Sequence, residues 1–312
     1  MESNNLLYHY TDIKAAIGIL ESGVLFFSHC RRMNDLTEFK HADPFLLETN
    51  KKVMDDLLYS ENRVFNLNDY TDYEESRKEV AKDFQDEIVK ALGQEFYIFS
   101  STQHHDDYEK DHGSLVMWRG YGKENGCSIV FDKKQLESIV KTGKKTKKYD
   151  EFISEKVKYL HENDKEKIEK AFGKTYTVFY KNLRINLKEI FKAHIGGKYE
   201  EKEEDYFRPL IAIKSLLKHH AFNSEQEYRM GILRCTVINK DNESLIPVKN
   251  GRIELPIAEQ GFPIKKIIVS PIGNQEGNFK KLVSFIQSDP RYHGIEVTES
   301  KIPYQKPPLG NR

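Results

Sequence analysis

The sequence predicts an α+β fold: a mixed or antiparallel central sheet with an added layer of helices. Strand-like apolar runs stand at both ends of the chain, and a long charged stretch of helical spacing lies between them. Ends that carry strands while the middle carries helices imply that the ends pair into one sheet system. One domain over residues 1–312 is expected, with residues 133–220 as a charged helical insertion within it, and the Gly196-Gly197 pair is the best boundary inside that insertion.

The chain opens on Leu6 to Ser28, which reads as strand, helix and strand in quick succession. Leu6 to Tyr10 is apolar and aromatic, as a buried strand requires. Thr11 or Asp12 caps the helix that follows, and Ile13, Ala16, Ile17 and Leu20 recur along one of its faces. Gly23 ends the helix in the left-handed conformation, and Val24 to Phe27 is a strand again. His9 therefore sits at a strand mouth beside the free N–H groups of a helix start, a place suited to a polar or anionic ligand. A histidine that only hydrogen-bonds the turn fits the same pattern.

Next come Arg31 and Arg32, then Asn34, Asp35 and Glu38, where a polar loop turns into a helix. Leu46 to Ala91 reads as surface helices. Glu95 to Ser100 is a strand, Gly113 to Arg119 a helix that brings Trp118 and Tyr121 to its end, and Cys127 to Phe131 a strand. His104, His105, Asp106, Asp107, Asp111 and His112 cluster, but adjacent ligands in one loop match none of the usual zinc spacings, so no metal is expected. The lysine run from Lys133 to Lys148 reads as a solvated basic segment, and Glu151 to Leu216 as helix. Strands return at Glu227–Thr236, Arg252–Pro256 and Lys265–Ser270, followed by a helix over Asn278–Ser288, a short strand at Ile295–Thr298 and an irregular tail from Pro303.

Composition narrows the function. Lysine plus arginine and aspartate plus glutamate number 49 each, so no overall field draws the chain to nucleic acid or membrane. The polar Met1 to Asn5 is unlike a signal peptide, and no run of roughly 20 apolar residues could cross a bilayer. Three cysteines set far apart argue against a disulfide framework. These features lead to the expectation of a reduced, cytoplasmic protein.

The strongest local signal is FNSEQEYRM. Alternation along a strand puts Glu225, Glu227 and Arg229 on one side, and Gln226, Tyr228 and Met230 on the other. Two carboxylates and a guanidinium on one face can line a cleft; they also fit a solvated edge.

Four pieces occur in order: LYHYTD with its helix and ESGVLFFS, RMNDLTE, LVMWRGYGKENGCSIVFD, and EQEYR. In these the chain resembles the bacterial family called domain of unknown function 2971, over a span from His9 to Arg229. The opening is in turn similar to that of ADP-ribosyltransferases, and this resemblance implies a split sheet and NAD as substrate. By it, His9 matches the histidine that holds a ribose hydroxyl, with Tyr10 and Thr11 completing the motif. Glu227 matches the glutamate at the nicotinamide ribose, and Glu225 the extra carboxylate of members that modify arginine. Tyr121 or Trp118 would stack on the nicotinamide, although neither is expected on a strand. Arg229, or Arg31 or Arg32, would neutralise the pyrophosphate, with Asn34 and Asp35 at the rim.

The function expected is an NAD-consuming transferase or glycohydrolase, an effector in bacterial phage defence, with a protein or nucleic-acid acceptor. A regulatory partner or homo-oligomer and no membrane partner are also expected. Alternatives of a different class are a nuclease or nucleic-acid binder using the lysine run, and a catalytically silent interaction module. There is no glycine-rich phosphate loop to support a Rossmann or kinase-like reading.

Overall fold

The computed structural model describes residues 5–32, 40–60, 95–122, 124–161, 164–194, 207–234, 245–259 and 261–304. The chain forms two compact units: one of Met1–Ser28, Tyr97–Lys156 and Asn223–Arg312, the other of His29–Phe96 and Val157–Phe222. Among the described residues, no helix is long and apolar enough to cross a membrane.

The strands, in chain order, are β1 (Leu6–Asp12), β2 (Val24–His29), β3 (Phe96–Thr102), β4 (Gly126–Asp132), β5 (Glu151–Lys156), β6 (Lys158–Tyr159), β7 (Leu217–Lys218), β8 (Glu227–Leu233), β9 (Val248–Lys249), β10 (Arg252–Pro256), β11 (Ile264–Val269) and β12 (Glu296–Glu299). All but β6 and β7 make one sheet, ordered β12-β11-β4-β1-β3-β2-β10-β9. Strand β3 also pairs with β8, and β8 with β5, so the sheet branches at β3. The pairings β1–β4, β4–β11, β2–β10 and β5–β8 run antiparallel, whereas β11–β12 is parallel. The expected α+β class with a mixed, mostly antiparallel sheet is what the chain adopts.

The opening unit forms as its residues dictate. Asp12 caps the helix Ile13–Ser22 by accepting from the Ala15 amide at 2.7 Å. Gly23 ends it at φ 65°, its amide donating to Ile19 O at 2.9 Å. Ile13, Ala16, Ile19 and Leu20 are buried, with Ile17 partly buried beside them. This face joins Leu136 and Val140 of helix Lys133–Lys145 and Leu282 and Ile286 of helix Gln275–Gln287 over one face of the sheet, where Leu7, Phe99, Ile129 and Met230 meet them. Each such fully buried aliphatic side chain contributes about 2 kcal/mol. Tyr8 and Tyr10, alternate along β1, belong to a smaller cluster with Val130, Ile268, Met117 and Trp118.

One expectation needs correcting. Glu151–Lys156 is strand, not helix, because it finds a partner in the distant β8, with Ile153 opposite Gly231 and Glu155 opposite Arg229. Residues 133–156 lie in the unit that holds the sheet, and Val157–Phe222 in the other. The lysine run forms an amphipathic helix, capped by Asp132, that buries Leu136, Val140 and Gly143 and leaves Lys134, Lys141, Lys145 and Lys147 exposed. The Gly196-Gly197 boundary lies outside the described residues.

The second unit holds helices Asp43–Ser60, Lys165–Phe172, Lys174–His194 and Phe207–Leu216. Phe45, Val53, Leu57, Phe179, Leu183, Ile213 and Leu216 are buried in it. Lys214 is fully buried and donates to Asp43. Strands β6 and β7 form a separate parallel pair, Lys158 opposite Leu217 and Tyr159 opposite Lys218.

Candidate functional site

Strand β3 organises the polar residues of the first unit. His9 lies on β1 and is half-buried, its ring 4.8 Å from that of Phe99. Its Nδ1 stands 3.0 Å from Ser100 O. A carbonyl only accepts, so Nδ1 carries the proton, and Nε2 of the neutral ring is left as an acceptor. Burial lowers the pKa of His9 below the usual histidine range, with the Ser100 bond opposing, which favours that neutral form.

The other side of the same strand end meets β8. Ser101 Oγ donates to Tyr228 O at 3.0 Å, and the Gln103 amide donates to Gln226 O at 2.9 Å. Residues 100–103 thus carry His9 on one flank and the segment Glu225–Arg229 on the other.

Within that segment the expected alternation fails. Glu225 closes a 3-10 turn (His220–Glu225), β8 starts at Glu227, and Gln226 between them sits at φ 45°. A left-handed non-glycine residue is uncommon, and it breaks the pleat that would have put Glu225 and Glu227 on one face. Glu225 is half-buried, and Tyr121 Oη donates to its Oε1 at 3.2 Å. Glu227 is 6% exposed and Arg229 1%. Arg229 Nε donates to Glu227 Oε1 at 2.7 Å and Nη2 to Oε2 at 2.8 Å, a bidentate pair. Arg229 is therefore the partner of Glu227 rather than a solvent-facing clamp for pyrophosphate.

Tyr10 and Trp118 are packing residues. Tyr10 Oη accepts from the Ser114 amide at 2.8 Å and lies 2.7 Å from His104 Nε2. Trp118 is fully buried, edge-on to Tyr10, and donates Nε1 to His112 O at 3.0 Å. A Cβ at Gly113 or at Gly122 would come within 2.6 Å of its ring, so two glycines box the indole in. Of the two aromatic candidates for stacking, only Tyr121, 37% exposed, keeps a face accessible. It lies in the π-helical Trp118–Gly122 segment, which follows a single helical turn at Leu115–Met117. Thr11 is half-buried on β1, opposite Cys127. Arg31 is exposed in a short turn of the second unit, and Asn34 and Asp35 lie outside the described residues.

Sequence reasoning missed His104. Its neighbours in sequence are polar, yet it is buried against Tyr8 at 4.6 Å between ring centroids. Burial pulls its pKa down to about 4, with His105 adding to the shift and Asp106 opposing it. The apolar strand that runs straight into it was the available signal. Also unforeseen is a histidine group in the second unit, His161, His219 and His220.

The first unit is thus an α+β domain whose branched sheet holds a histidine, a tyrosine and two carboxylates around one strand end. The signature of the family described as Protein of unknown function (DUF2971) matches residues 117–230, and this stretch of the chain is similar to that family. It contains Trp118, Tyr121 and the Glu227–Arg229 strand, while His9 and the Asn34–Glu38 motif precede it. No curated protein and no solved structure matches the chain.

Proposed function

We propose that the first unit is an ADP-ribosyltransferase-like enzyme that cleaves NAD and passes ADP-ribose to a macromolecule or to water. The supporting observation is that His9 and the Glu225–Arg229 segment, far apart in the chain, are hydrogen-bonded to neighbouring residues at one end of β3, His9 to Ser100 and the segment to Ser101 and Gln103. In this reading His9 Nε2 accepts from a ribose hydroxyl, since Nδ1 is held by Ser100 O. Cleavage of the nicotinamide bond builds positive charge on the ribose, and the carboxylate of Glu227, oriented by Arg229, stabilises it. Glu225, steadied by Tyr121, orients the acceptor on the opposite face of the sugar. An effector role in phage defence belongs to the same proposal and rests on the family resemblance alone.

The test is incubation of the purified chain with NAD and cell extract, following nicotinamide release and labelled macromolecules. Release by the native chain, lost in His9→Gln and with labelling lost in Glu225→Gln, is the expected result. NAD left intact, together with a melting temperature that NAD does not raise, overturns the reading.

A further inference from the structure

The second unit brings together three histidines that the NAD reading does not use. Strands β6 and β7 lie side by side, and the ladder continues with the Leu160 amide donating to Lys218 O at 3.0 Å. His161 and His219 follow directly on these two joined strand ends, with His220 next in the chain. Their ring centroids stand 5.3 Å (His161–His219), 3.8 Å (His161–His220) and 4.6 Å (His219–His220) apart. One nitrogen from each ring lies within 4.8 Å of the others. A fourth imidazole braces the group: buried His41 stands edge-on to His219 at 5.6 Å, and its Nε2 is 3.0 Å from Leu160 O.

Three imidazoles this close repel one another once protonated, so neutral rings, the ligand form, suit the arrangement. We infer that His161, His219 and His220 bind a divalent transition-metal ion of the zinc class. Imidazole nitrogens suit zinc, nickel or copper, and three protein ligands leave a fourth position for water or a further ligand. Nitrogens around a tetrahedral zinc ion stand about 3.4 Å apart, given bonds of about 2.1 Å. The three rings close to that spacing by side-chain rotation, since His161 and His220 are exposed and only His219 is half-buried. The Ala221 amide donates to His219 Nδ1 at 3.2 Å, which puts the proton of the neutral ring on Nε2. An ion bound at Nε2 moves that proton to Nδ1 and gives up this one exposed hydrogen bond; an ion bound at Nδ1 displaces the amide instead.

The experiment uses the full chain, stripped of metal and titrated with Zn²⁺ by calorimetry and with Co²⁺ by visible absorption. One equivalent per chain is expected, with the intense Co²⁺ bands of a four-coordinate site. His161→Gln and His220→Gln each weaken binding by about tenfold or more, at least what losing an outer-shell partner costs. Both residues are exposed, so the metal-free variants melt with the native chain. His293→Gln, an exposed histidine of the other unit, binds as the native chain does. Affinity no tighter than about millimolar, or affinity that the two cluster substitutions leave unchanged, overturns the inference.

Discussion

Polar residues in the two units meet opposite fates. Around β3 in the first unit they are buried or half-buried and held by partners: Glu227 by Arg229, His104 by Tyr10, and the half-buried His9 by a carbonyl. After β6 and β7 in the second unit, two of three clustered imidazoles are exposed and all three crowd one another. The difference shows how each region answers substitution. A buried polar group needs its partner, so removing one member strains the fold before any chemistry is read. An exposed cluster leaves the fold indifferent, and its substitutions report on a ligand alone. The largest effects are therefore expected in the first unit.

Glu227→Gln sets the upper end. Breaking a buried ion pair from one side leaves the other charge uncompensated, and typical losses are about 3–5 kcal/mol. Gln keeps the volume and part of the hydrogen bonding, so a loss of about 3 kcal/mol is expected, read by chemical unfolding. Nicotinamide release normalised to the folded fraction should still fall by roughly a hundredfold, the scale for losing one preorganised electrostatic group. A stability change under about 1 kcal/mol would break the comparison, because Glu227 would then behave as a surface group does. Normal turnover by the folded fraction would instead leave Glu227 as a purely structural partner of Arg229.

His104 gives an effect of similar sign that pH alone can reveal. With its pKa at about 4, the folded chain keeps this ring neutral where an unfolded imidazole, titrating near 6.5, takes up a proton. Between those values the unfolded chain binds more protons, so stability rises with pH across the window. Acidification from 6.5 to 4 should cost up to about 3 kcal/mol, at 1.36 kcal/mol per pKa unit, and nothing more from this group below 4. His105, Asp106 and the Glu109 carboxylate, 3.3 Å from Nδ1, face it. His104→Gln should flatten the slope over this window relative to the native chain, whatever other groups contribute to both. Equal slopes would place His104 among the solvated histidines.

How much of this was legible depended on how local the cause was. Asp12, Gly23 and the helix between them could be read directly, because capping and left-handed termination need only neighbours in sequence. The Glu227–Arg229 spacing was visible, but not its burial, since that comes from β3 and β5 on either side. Strand β5 itself was read as helix: its charged ends hide the alternation, and its partner lies far along the chain. Gln226 at φ 45° left no signal that sequence reasoning could use, and with it went the shared face of the two carboxylates. His161 was invisible as a neighbour of His219 because strands of two residues, β6 and β7, bring them together.

The smallest expected effect lies at Tyr121, where the two regimes meet. Its ring is 37% exposed, but its hydroxyl reaches Glu225 Oε1 at 3.2 Å. Tyr121→Phe removes that hydroxyl and keeps the ring. Stability should change by less than about 0.5 kcal/mol, as at other exposed positions without a core role. If the ring stacks on nicotinamide while the hydroxyl steadies Glu225, the two tasks separate kinetically. Tyr121→Phe should then leave KM for NAD unchanged and lower kcat of transfer by about tenfold, near 1.4 kcal/mol, the size of a net hydrogen bond to a charged group. Tyr121→Leu removes the ring as well and should raise KM. Should both variants change KM alike, the ring makes no face-on contact and the hydroxyl is the whole contribution. Should neither change anything, Tyr121 stands with the solvated residues, and the site narrows to His9 and the two carboxylates.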